Sequence, residues 1–118
     1  MDSILTSIKK ILGITEDYHH FDSDLIVHIN SVFSILTQLG VGPANGFSIL
    51  DENDTWDDFI TDRSTIEMIK SYMALKVRLM FDPPLSSSVT DSFNRLVNEF
   101  EWRLNVAVDP KDERATTD

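Results

Sequence analysis

A chain of 118 residues with 42% hydrophobic and 25% charged residues has the size and composition of one globular domain with a single core. It contains no cysteine, which excludes a disulfide framework, a thiolate metal site and a cysteine nucleophile. A formal charge of −10 opposes both the phosphate-neutralising surface of nucleic-acid binders and attraction to anionic membranes.

Helical periodicity runs through most of the chain. The first segment places Ile4, Leu5, Ile8, Ile11 and Leu12 on one stripe, and Gly13 stands where a left-handed C-terminal cap belongs. A helix this short must dock on something to persist. The segment lacks the continuous apolar core of a signal peptide, and no apolar run in the sequence approaches the ~20 residues of a membrane span. A soluble chain that stays where it is made is expected.

The second helix is predicted to start at Asp22 as N-cap, with Phe21 and Ile26 as a hydrophobic staple across it. Leu25, Ile29, Val32, Phe33, Leu36 and Leu39 continue its stripe. Gly40, Val41 and Pro43 then read as a Schellman-type stop. Residues 41–62 form a long irregular connection, with turn signals at Gly42-Pro43 and Asn45-Gly46. Phe47 and Ile49 suggest a short extended piece, and Trp56, Phe59 and Ile60 an amphipathic turn that plugs the loop onto the core. The same connection holds Asp51, Glu52, Asp54, Asp57, Asp58 and Asp62 with no Lys or Arg among them.

The third long helix carries a capping box of Ser64 and Glu67 and must stop near Asp82, before Pro83 and Pro84. Ile66, Ile69, Met73, Val77 and Met80 line one face, and Met68, Tyr72, Leu75 and Leu79 line nearly the opposite one. A helix apolar on both sides is either central in its own bundle or buried against another subunit. The fourth helix starts in the Ser86–Ser88 run and continues to about Val106. Its core stripe is Val89, Phe93, Leu96, Val97, Phe100 and Leu104, and Trp102 points about 170° from the centre of that stripe. Either another part of the chain folds over the indole, or a partner covers it. From Asp109 the sequence is polar and reads as a flexible tail. The expected fold is therefore all-α: about four main helices over 1–107, a long loop between the second and third, and a C-terminal tail over 108–118.

Chemistry is thinly represented. His20, Asp24 and His28 recur at helical spacing, but one straight helix face cannot wrap a tetrahedral ion. Residues 51–62 partly mimic a calcium loop, yet Trp56 stands where Gly is required and Asp62 replaces the bidentate Glu. No phosphate-binding glycine loop is present. No catalytic residue, cofactor or metal is expected.

The opening Ile4-Leu5-Thr6-Ser7-Ile8-Lys9-Lys10-Ile11-Leu12-Gly13-Ile14 and the second-helix ending Gln38-Leu39-Gly40-Val41-Gly42 resemble head–tail connector (head-completion adaptor) proteins of tailed phages. The resemblance covers about residues 3–107 and rests on helix-and-cap patterns. It implies a structural virion protein, made in the host cytoplasm, that forms a homo-oligomeric ring of about twelve subunits at the capsid vertex. Such a ring docks under the portal protein and receives a stopper or tail-completion protein. DNA passes through its channel without specific binding, and no membrane is involved. Candidate subunit or portal contacts are then Trp102, Val106, Val108 and Pro110, with Met68, Tyr72, Leu75 and Leu79. The candidate channel lining is the acidic loop, Asp51, Glu52, Asp54, Asp57, Asp58 and Asp62. The competing reading is an acidic regulatory or DNA-mimic protein that binds a basic partner, and a small helical enzyme has no constellation to support it.

Overall fold

A computed structural model describes the backbone of residues 2–117 and the side chains of residues 2–107. The fold is all-α, with helices α1 (Ile4–Ile11), α2 (Asp22–Gln38), α3 (Trp56–Phe59), α4 (Arg63–Phe81) and α5 (Ser87–Thr117). Extended pairing among the described residues is limited to one isolated antiparallel bridge between Ser3 and Thr55.

The Ser3 hydroxyl caps α1 by accepting from the Thr6 N–H. At the other end Gly13, at φ +84°, lets the Ile14 N–H reach back to the Lys9 carbonyl at 2.8 Å. Ile4, Leu5 and Ile8 are buried as the stripe predicts, but Ile11 is 55% exposed. The stripe is wider than the surface available to cover it.

The start of α2 differs from expectation. Asp22 is the first helical residue and Phe21 the cap position, without a side-chain cap bond. The Asp22 carboxylate is instead drawn away by Lys9, whose side chain is only 2% exposed. Lys9 Nζ lies 2.8 Å from Asp22 Oδ1 and donates to the carbonyls of Glu16 (3.1 Å) and Tyr18 (2.7 Å). The buried ammonium therefore has two hydrogen-bonded carbonyls and an ion-paired carboxylate to offset its loss of water. At its far end α2 closes in a Schellman motif, with Val41 N–H to Leu36 carbonyl and Gly40 N–H to Thr37 carbonyl.

The long connection is ordered by two anchors. The Asn30 side-chain amide holds Ile49 on both sides, accepting from its N–H (2.8 Å) and donating to its carbonyl (3.1 Å). That amide stands in for a neighbouring strand, so the Phe47–Ile49 piece is extended but unpaired. The second anchor is α3, whose Trp56 and Phe59 are buried, with the indole N–H donating to Ser7 Oγ. Phe59 packs so close to Gly42 that a Cβ there would overlap its ring.

The start of α4 also moves. Asp62, rather than Ser64, is the N-cap: its carboxylate accepts from the Ser64 N–H and from the Ser64 and Thr65 hydroxyls. A carboxylate at this end also complements the helix dipole. Helix α4 packs against α1, α2 and α5, which makes it the central helix of the bundle. Ile66, Ile69, Met73 and Val77 are buried, each such aliphatic side chain stabilising by roughly 1.5–3 kcal/mol. Helix α5 continues past the expected stop near Val106, because Ala, Lys, Glu and Arg beyond it are good helix formers and a lone proline need not end a helix.

Candidate assembly surfaces

The seam between α4 and α5 determines which faces remain open. Tyr72 is 0% exposed, and its hydroxyl donates to Glu101 Oε2 across the seam at 2.7 Å. Burial, reinforced by the carboxylate beside it, pushes the Tyr72 pKa far above its ordinary value, so the phenol stays a donor. Of the proposed second face of α4, Tyr72 is thus fully covered within the chain, while Met68, Leu75 and Leu79 are half-buried at its margins.

Helix α5 commits less of its stripe to the core than periodicity suggests. Val97 and Leu104 are buried and Phe93 and Phe100 partly so, whereas Val89 (41%) and Leu96 (44%) are exposed. One helix can reach only the neighbour it lies on, and the flank carrying Val89 and Leu96 turns past α4. Trp102 is 66% exposed and Val106 is also exposed, so no described segment folds over the indole. A salt bridge between Glu99 and Arg103 lies on the same outer part of the helix. The side chains of Val108 and Pro110 lie outside the described residues.

Beside the Phe93 flank is an open groove at the junction of α1, α4 and α5. Ile11, Leu12, Ala74, Leu75 and Phe93 line it, with Arg78 at its polar edge. Its presence explains the exposure of Ile11, which no sequence pattern reveals.

The acidic loop is locally organised. Asp54 accepts from the N–H groups of Leu50 and Asp51, and Asp51 accepts from Asn53. Asp58 accepts from the Thr55 N–H and hydroxyl, and Asp62 caps α4. Glu52 is exposed, and Asp57 lines a mixed-charge cleft with Asp2, Arg63, Glu67 and Lys70. Most of these carboxylates therefore hold backbone turns as well as carrying charge.

Two of the three histidines serve aromatic packing, His20 meeting Phe21 edge-on at 4.7 Å and His28 approaching Phe81 at 6.3 Å, while His19 bonds the Asp22 carboxylate at 2.7 Å. His20, Asp24 and His28 are not brought together, and no metal-ligating group of three forms among the described residues. No helix among them is long and apolar enough to cross a membrane. The Lys9–Asp22 pair was missed by sequence reasoning, since a lysine between Ile8 and Lys10 gives no sign of being buried.

Comparison with curated proteins and with solved structures found no match. A family model described as Phage connector protein matches residues 4–111, which spans all five helices up to the last turns of α5. The chain is all-helical, and apolar side chains including Trp102 and Val106 stay open on α5. The chain belongs to the phage connector protein family.

Proposed function

We propose that this chain is a structural subunit of the phage neck: it forms a ring of about twelve copies under the portal, extends the DNA channel and receives the next head-completion or tail protein. It carries out no reaction. The observation that carries this reading is Trp102, held 66% exposed on a helix whose other face is bonded into the core. An exposed tryptophan on a rigid element is the kind of anchor that interfaces use. Met68, Leu75, Leu79 and Val106 extend the apolar surface available to neighbours, and the C-terminal part of α5 meets the portal.

The acidic loop faces the channel in this reading, where negative charge repels the DNA phosphates and keeps the passage free. Its local hydrogen bonding supports the channel role over a DNA mimic. Carboxylates engaged in backbone turns present fewer free oxygens to a basic partner. Electron microscopy of the protein mixed with its cognate portal tests the proposal. A ring seated on the portal is expected, and bare portals at saturating protein would overturn it.

A further inference from the structure

We infer that neighbouring copies of this chain meet by inserting Trp102 of one copy into the groove of the next, formed by Ile11, Leu12, Ala74, Leu75 and Phe93. The inference rests on the ring reading above and specifies the contact that builds it. Phe93 and Trp102 are nine residues apart on α5, which is two and a half helical turns. The groove and the indole therefore face opposite sides of the same helix and are offset by about 14 Å along it. A single chain cannot bring the two together. A two-fold dimer would need both patches within one interface, which their placement on opposite sides of the helix opposes, whereas a head-to-tail neighbour uses one patch on each side.

The chemistry of the two surfaces is complementary. The groove has an apolar floor, and Ile11 at its lip is 55% exposed. Arg78 stands at its edge, where a guanidinium can stack on an indole face. The Trp102 side offers the indole and Val106, both exposed. On the groove side Val89 and Leu96 widen the apolar surface along the α5 flank.

Area sets the strength of the contact. A large aromatic side chain buries about 150–250 Å², against about 800 Å² per partner in a standard stable interface. One indole with a few exposed aliphatic groups supplies only part of that. A single pairwise contact is therefore weak, and a closed ring or a template that aligns the copies supplies the rest through effective concentration. Dilute protein is expected to be monomeric.

Photo-crosslinking tests this without any portal. A benzoyl-phenylalanine placed at Trp102 in concentrated, isotope-mixed protein should give adducts between chains on peptides carrying Ile11, Leu75 or Phe93. Ile11→Glu, at an exposed position, should lower that yield by about tenfold while leaving thermal melting unchanged. Adducts mainly to other surfaces, adducts between two copies of α5 around position 102, or no intermolecular adduct would each overturn the inference. So would an unchanged yield in Ile11→Glu. Portal binding is scored separately, so a failed groove contact on a portal-bound ring is distinguishable from failure of the connector reading.

Discussion

Lys9 Nζ sits 2.8 Å from Asp22 Oδ1 and joins the end of α1 to the start of α2 through a buried ammonium. The same group gathers the carbonyls of Glu16 and Tyr18, so one side chain folds the whole α1–α2 connection around itself. Lys9→Met keeps the stem volume and removes the charge. It leaves Asp22 without its cation and two carbonyls without a donor. Losing one partner of a buried pair costs about 3–5 kcal/mol, reduced here because Asp22 retains some exposure. A loss of about 2–3 kcal/mol in urea unfolding is expected. A change below about 0.5 kcal/mol would mean that water replaces the ammonium freely.

The pair also sets an acid limit. Burial alone would raise the Asp22 pKa, but hydrogen bonds from Lys9 and His19, with their charges, hold it below its ordinary value of 3.8. A carboxylate with a depressed folded pKa stabilises fully above its unfolded value and loses that contribution as pH falls through the folded one. Stability should therefore fall below about pH 4, and Asp22→Asn should flatten that part of the curve. Parallel pH profiles for the two proteins would contradict the assignment.

Tyr72→Phe removes the hydroxyl that reaches Glu101 and nothing else. Glu101 is only partly buried and can turn to water, so the expected loss is about 1 kcal/mol, seen as a small drop in melting temperature. A loss above about 3 kcal/mol would show that the bond holds α5 in place rather than trimming its seat.

Gly42 is the most constrained position in the long connection, with φ +87° and the Phe59 ring against its Cα. Gly42→Ala combines left-handed strain with overpacking and should cost about 2–4 kcal/mol. Adding Phe59→Leu should recover part of that loss over Phe59→Leu alone, measured as a double-mutant cycle. Strict additivity would show that backbone strain alone carries the effect.

Much of this architecture was legible in the sequence. Gly13 and Gly40 mark the ends of α1 and α2 because a left-handed residue after an apolar stripe has few other uses. Pro83 and Pro84 bound α4, and the spacing of Trp56 and Phe59 foretold the plug. The errors at the helix starts share one physical cause, which is that polar side chains choose partners by three-dimensional proximity. Asp22 looks like a cap but pairs with Lys9, and Asp62 takes the cap assigned to Ser64. Asn30 replaces a strand for Ile49 from nineteen residues away. Periodicity found the outward direction of Trp102 because that depends only on helix geometry. It could not tell that Val89, Leu96 and Ile11 stay uncovered, since this depends on where neighbouring helices end.

The central claim is that this is an assembly protein whose contacts lie on the open faces of α5, and Trp102→Ala tests it most directly. Co-sedimentation with the cognate portal should be lost in Trp102→Ala, while its melting temperature stays within about 2 °C of the parent, as expected for an exposed side chain. Parental co-sedimentation by a normally folded Trp102→Ala protein would contradict the account.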